Sequence, residues 1–337
     1  MKKLIAVSLF SLCLAAILAS PASAATLDDV KAKGTLKCGV APDNPGFSAL
    51  DSKGKRIGFG VDFTTAVATA VGVEPTFVPL TSKERLPALQ SGEVDLLFKT
   101  TTWTMSRDTR LGLDFAATIL YDGQGIMVRK ELGIKSAKEL DGASICLATG
   151  STTELNISDY FRQNGMTFKP VVFEKQADVR KAYDAGRCDC HTTDVSGLAA
   201  QRSLMTNPDE HLILPEMISK EPLGMLTRHG DNQWNDIARW VINLTIAAEE
   251  KGITQANVAE IAKTSTDPEV QRMLGITGTL WTDLGLDKDA PIRVLQKVGN
   301  YGEIFNRNLG PDTPLGMNRG LNDLWNNGGI LYSPPFR

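Results

Sequence analysis

The chain of 337 residues is short of the residues that most specialised chemistries require. Histidine occurs three times and cysteine five. His191, His211 and His229 stand at no ligand spacing, and no cysteine pair reads C-x-x-C, so no metal is expected. Neither charge is in excess: 36 Lys+Arg stand against 39 Asp+Glu, a formal net charge of -3. That balance removes nucleic acid from the expected partners. Long apolar runs are absent after the N-terminus, so the body of the chain is not expected to span a bilayer. There is no G-x-S-x-G, no H-E-x-x-H, no P-loop and no G-x-G-x-x-G after a strand. No catalytic nucleophile with its base, and no cofactor, is therefore expected. What remains is 42% hydrophobic and 22% charged, the composition of an ordinary globular chain long enough for two cored units.

The first 24 residues differ from the rest. Lys2 and Lys3 precede an apolar run from Leu4 to about Leu18, and Ser20-Pro21-Ala22-Ser23-Ala24 puts small residues where a signal peptidase reads. Residues 1–24 are expected to be an export signal cut after Ala24. The apolar run is too short for an anchor, and Cys13 lies inside it, which argues against a lipoprotein. The destination is the periplasm, an oxidising space. There Cys38, Cys146, Cys188 and Cys190 admit three pairings, and spacing does not choose among them.

The body alternates strand and helix signals, which predicts an α/β fold with a parallel or mixed sheet. Leu36–Val40, Thr76–Val78 and Val94–Phe98 read as strands, separated by helices that open at Gly58–Asp62 and at Glu84. The pattern restarts with strands at Ser144–Ala148, Pro170–Phe173, Cys188–His191 and Leu212–Leu214, and with helices between them. From Trp234 the chain is mainly helical, and residues 310–337 read as an ordered wrap.

Four constellations carry potential chemistry. Thr100-Thr101-Thr102-Trp103-Thr104-Met105-Ser106-Arg107 follows a strand, where hydroxyls and a planar guanidinium suit a carboxylate; a solvated surface loop is the alternative. Thr149-Gly150-Ser151-Thr152-Thr153-Glu154 is a glycine turn into a helix, which suits an anion and equally a plain helix cap. Asp194, at a strand end, fits either a substrate ammonium or an N-cap. Phe47 and Phe59 fit either a ligand's apolar stem or the core. A base with hydroxyls on one unit, and an acid with an anion-binding turn on the other, match a zwitterion held between two lobes.

Ordered segments then become familiar: Pro45-Gly46-Phe47-Ser48, Leu89-Gln90-Ser91-Gly92-Glu93-Val94-Asp95, Thr101-Thr102-Trp103-Thr104, Tyr121-Asp122-Gly123-Gln124-Gly125, Gly186-Arg187-Cys188-Asp189, Thr192-Thr193-Asp194, Val298-Gly299-Asn300-Tyr301-Gly302-Glu303 and Tyr332 to Arg337. With these, the chain from about Leu36 to Arg337 resembles the periplasmic solute-binding proteins of polar amino-acid ABC transporters, and within them the general L-amino-acid-binding branch. The resemblance implies a type II, two-lobed α/β fold with two hinge crossings near Gly125–Arg129 and Pro222–Arg228. Lobe 1 would take residues 25–126 and, with a helical C-terminal extension, 223–337; lobe 2 would take 127–222. It implies that Arg107 binds the ligand α-carboxylate, Asp194 the ammonium, Thr100, Thr102, Ser151 and Thr152 the rest of the polar frame, and that Phe47 and Phe59 flank the ligand. It also implies a Cys146–Cys188 disulfide, and a permease and ATPase complex in the inner membrane as partner. A monomer is expected because the two lobes give no cue for oligomerisation, and no enzyme activity is expected because no catalytic constellation emerges.

The chain departs from the branch at Phe98-Lys99-Thr100, at Gly60 and at His191. Lys99 and His191 in a side-chain subsite would favour acidic or amide ligands. Two alternatives share the fold: a periplasmic dehydratase or lyase recruiting Glu154 or His191, and a sensor subunit that presents the closed form to a receptor.

Overall fold

The computed structural model describes residues 26–337, so the expected export signal lies outside it. Its strands in chain order are β1 (Thr35–Val40), β2 (Ala49–Leu50), β3 (Arg56–Ile57), β4 (Glu74–Pro79), β5 (Leu96–Thr102) and β6 (Leu113–Asp122), then β7 (Gln124–Arg129), β8 (Ser144–Ala148), β9 (Lys169–Phe173), β10 (Cys190–Asp194), β11 (His211–Ile213) and β12 (Glu221–Arg228). Two five-stranded mixed sheets result, in the orders β4-β1-β5-β12-β6 and β11-β7-β10-β8-β9. Each is the centre of one lobe. β1 runs parallel to β4 and β5, whereas the returning β12 inserts antiparallel between β5 and β6.

The crossings need correction. β7 lies wholly in the second sheet and β12 wholly in the first. Gly125–Arg129 and Pro222–Arg228 are thus buried strands, not links. The chain changes sheets at Gly123 and again in the stretch before Glu221. The physical reason is that apolar runs such as Ile126-Met127-Val128 bury best inside a sheet, while the polar Asp122-Gly123 step tolerates the change of direction.

Lobe 1 has one large core. Phe59 opens the helix Phe59–Val71 and sits amid an aromatic cluster, with ring centroids 5.0 Å from Phe63, 5.9 Å from Tyr301 and 6.3 Å from Phe305. The long helix Asn232–Glu250 is pinned by Trp234, whose indole N–H donates to the Asp95 carbonyl at 2.9 Å. The last segment is an ordered wrap. Leu315, Leu324, Leu331 and Phe336 bury into the lobe 1 core, and Asn322 pairs with both backbone groups of Tyr121 (2.6 and 2.9 Å).

Lobe 2 has two smaller cores, one on each face of its sheet. The expected Cys146–Cys188 disulfide is present, with a Cα–Cα distance of 5.7 Å, and joins β8 to the turn before β10. Cys38 and Cys190 are free thiols, both buried.

Candidate functional site

β5 is the central strand of the lobe 1 sheet. It starts later and runs further than Val94–Phe98, so Lys99 to Thr102 are part of the strand and not of a following loop. Thr100 has φ 38°, the one non-glycine residue with positive φ among the described residues. Such strain persists only where the surroundings enforce it. Here Arg85 enforces it, donating through Nη1 to the carbonyls of Lys99 (2.8 Å) and Thr100 (3.2 Å).

Across the cleft stand two helix starts of lobe 2. Gly150-Ser151-Thr152 leads into the helix Thr153–Gln163, and Asp194 ends β10 and leads into the helix Val195–Arg202. A cavity of about 410 Å³ lies between the lobes, lined among others by Thr100, Thr102, Ser151, Thr152 and Asp194. The lobes meet around it: Thr102 Oγ1 is 3.4 Å from Thr152 Oγ1, and the Gln201 amide donates to Asn44 Oδ1 at 3.3 Å.

Asp194 occupies the N-cap position, yet its side chain makes no capping hydrogen bond. Its carboxyl is held well above the usual carboxylate range by burial, and next by Asp122 and Glu221. A half-buried acid at the cavity wall, with unspent oxygens, suits an incoming ammonium. Thr152 likewise sits at the cap position of its helix without a side-chain capping bond, so the capping-box reading of that turn fails. Its hydroxyl instead donates to Glu221 at 2.9 Å.

Arg107 is buried beside the cavity wall without lining it. Its Nη1 donates to the Thr102 carbonyl at 2.9 Å, and Thr104 caps its helix by accepting from the Arg107 N–H at 3.3 Å. Burial lowers its pKa, while Glu221 and then Asp194 raise it.

Phe47 and Phe59 are corrections. Both belong to the lobe 1 core and neither lines the cavity, because the later helix Tyr301–Asn308 supplies an aromatic surface that buries Phe59 completely. His191 is a further correction: it is fully buried, and burial, then Arg180, pushes its pKa down to about 3. It therefore brings no positive charge to the cavity. Its Nε2 lies 3.1 Å from the side-chain amide of Gln176, which does line it. Glu154 is exposed, so neither group named for acid–base work reaches the cavity wall.

Sequence reasoning missed Arg85, Asp122 and Glu221. Glu221 is buried at the start of β12 and accepts hydrogen bonds from Thr102 of lobe 1, from Ser219 (2.6 Å) in the crossing just before it, and from Thr152 and Asn156 (2.6 Å) of lobe 2. Opposite it in register, Asp122 accepts from the Ser196 N–H at 3.2 Å. Burial pushes the Asp122 carboxyl up to about 6. Two lobe 1 carboxylates thus grip the two helix starts that present Thr152 and Asp194. No local motif signals this, since the partners are remote in sequence. Arg85 did leave a signal: it shares the buried face of the helix Arg85–Ser91 with Ala88 and Leu89 at helical spacing.

Two α/β lobes closing on a cavity framed by cations, hydroxyls and an unspent acid define a two-lobed solute-binding protein. The chain belongs to the bacterial extracellular solute-binding proteins, family 3, whose family model matches residues 36–274. It is 56% identical over 96% of both chains to the general L-amino acid-binding periplasmic protein AapJ of Rhizobium johnstonii. It is 52% identical to the glutamate/glutamine/aspartate/asparagine-binding protein BztA of Rhodobacter capsulatus, over 97% of this chain and 98% of the relative. A solved periplasmic binding protein of an ABC transporter from Brucella ovis, with glutathione bound, superposes with a TM-score of 0.91 at 54% identity, covering 93% of this chain and all of that one. These relatives are binding proteins, not enzymes.

Proposed function

We propose that this protein captures polar L-amino acids in the periplasm and delivers them to the permease of an ABC importer. The observation that carries this reading is Asp194, a half-buried acid with no capping bond, facing the Thr100–Thr102 segment across a cavity shared by two lobes. The ligand ammonium meets Asp194, and its α-carboxylate meets Thr102, the Ser151-Thr152 turn and Arg107, whose guanidinium stands behind the Thr102 carbonyl here and turns into the cavity as the ligand enters. Burying both charges is tolerable because each finds a partner. Since the ligand touches both lobes, it favours the closed form, and that form docks on the permease as a monomer. The export signal and the periplasmic relatives support the location.

A second reading has one observation of its own. A cavity of about 410 Å³ exceeds what a single amino acid fills, and the Brucella relative holds glutathione. A γ-glutamyl peptide presents the same zwitterionic head and would use the remaining volume.

The test is a thermal-shift screen of the twenty amino acids and glutathione on the mature protein, followed by calorimetry. A ligand at one hundred times its Kd stabilises by about 2.7 kcal/mol, well within reach of a melt. Several polar L-amino acids are expected to raise the melting temperature, and Asp194→Asn is expected to lose roughly 2–5 kcal/mol of binding. Absence of any shift, with no amino acid co-purifying in native mass spectra, overturns the reading.

A further inference from the structure

Three residues before Thr102, midway along β5, the cavity wall carries positive charge that the zwitterionic head does not use. Lys99 and Arg85 are both buried and both line the cavity. The Lys99 ammonium has three donors, and it gives one hydrogen bond, to Ser82 Oγ at 3.1 Å. Arg85 spends Nη1 on two carbonyls, while its Nε is buried without a partner among the described residues.

Among the described residues, neither cation has a carboxylate in contact. Glu84 is near, but its carboxylate is turned back on its own turn, accepting from the Thr81 N–H at 2.8 Å. Asp194 acts on both cations at a distance and is kept for the ammonium. Burial and the mutual repulsion of Arg85, Arg107 and Lys99 penalise the charged forms of this cluster. A desolvated cation with unspent donors is costly unless an anion joins it.

We propose that Lys99 and Arg85 form a second anion subsite, so that the preferred ligand is an α-amino acid carrying a second carboxylate. This rests on the amino-acid reading above and narrows it. The α-carboxylate and ammonium occupy the Thr102–Thr152–Asp194 end. The second carboxylate accepts from Lys99 Nζ and from Arg85 Nη2, the terminal nitrogen that holds no backbone carbonyl. A side-chain amide offers the same donors a carbonyl oxygen but no charge, so acidic ligands outrank their amides. The second carboxylate comes either from an acidic side chain or from the far end of a γ-glutamyl peptide.

The experiment is calorimetric titration of the mature protein with L-glutamate, L-glutamine and glutathione. Arg85 holds the strained Thr100 turn, so the test variant is Lys99→Met, which keeps the length of the stem and removes the charge. Lys99→Arg serves as the rescue. In the wild type, glutamate is expected to bind roughly 10- to 100-fold more tightly than glutamine, the range for one charge-assisted hydrogen bond. Lys99→Met is expected to bring that ratio close to one, and Lys99→Arg to restore most of it. A sensitive response of glutathione with an insensitive glutamate assigns the second carboxylate to the peptide. Equal binding of glutamate and glutamine by the wild type, with glutathione also indifferent to Lys99→Met, overturns the subsite and leaves amino-acid capture standing. Failure of the wild type to bind any of the three removes the amino-acid reading and the subsite with it.

Discussion

The two lobes solve one folding problem by different means. Lobe 1 surrounds its sheet with the C-terminal helices and the final wrap, giving one continuous core that includes Trp234, Tyr301, Phe305 and Phe336. Lobe 2 has only short helices, and its sheet divides the apolar residues into two small clusters. A thin lobe buries less apolar surface per residue, and the Cys146–Cys188 bridge supplements what packing supplies. The contrast extends to the site. Lobe 1 contributes its groups from the central strand β5 and from buried arginines, a rigid platform. Lobe 2 contributes Thr152 and Asp194 from two helix starts, which meet lobe 1 only when the cleft is shut.

The sharpest way to break this comparison is to damage each lobe in kind. Phe59→Ala is expected to lose about 3–5 kcal/mol of global stability, the cost of a large cavity in a dense core. Removing the bridge by Cys146→Ser with Cys188→Ser is expected to cost about 3–4 kcal/mol, from the 42-residue separation it closes. The location of the loss should differ. Hydrogen exchange after bridge removal should accelerate in β8 and β10 and leave β1 and β5 protected, whereas Phe59→Ala should expose lobe 1. Uniform acceleration in both variants would mean that the lobes share one cooperative unit.

How legible this was in the sequence depended on how local each signal is. Asp194, Ser151 and Thr152 sit in short strand-to-helix motifs that read equally as ligand sites or helix caps; the resemblance favoured the first, and all three line the cavity. The strand-and-helix alternation likewise revealed two α/β units. Phe47 and Phe59 misled because their core partners, Tyr301 and Phe305, arrive from a helix far later in the chain. Glu221 was invisible for a similar reason: Thr102, Thr152 and Asn156 converge on it only after both crossings have formed. The crossings themselves were misplaced because an apolar segment looks the same whether it links two sheets or belongs to one.

A smaller effect, at the junction of the lobes, follows from Glu221. Its carboxylate holds Thr152 and Asn156 of lobe 2 against Thr102 of lobe 1. Glu221→Gln keeps the size, removes the charge and presents a donor to donors. Ligand affinity is expected to fall roughly 10- to 100-fold, because charge-assisted bonds that exist only in the closed form are weakened. Small-angle scattering of the ligand-free variant should show a larger radius of gyration than the wild type. Unchanged scattering together with unchanged affinity would show that Glu221 supports the lobe 1 sheet and nothing between the lobes.

The smallest change tests how far the lobes close. Gly150 has φ +75°, and a Cβ added there would lie 3.1 Å from the backbone N and Cα of Lys83, which belongs to lobe 1. Gly150→Ala therefore carries two separable penalties. The left-handed backbone costs about 1 kcal/mol whether the cleft is open or shut, so it appears as lost stability. The tight contact with Lys83 exists only when the turn meets lobe 1, so it appears as lost affinity, roughly tenfold at most. Denaturant unfolding without ligand measures the first, and calorimetric titration measures the second. Lower stability with unaltered affinity would mean that the liganded cleft stops short of the closure seen here. A loss of both would mean that the Gly150 turn meets Lys83 in the liganded protein as closely as it does here.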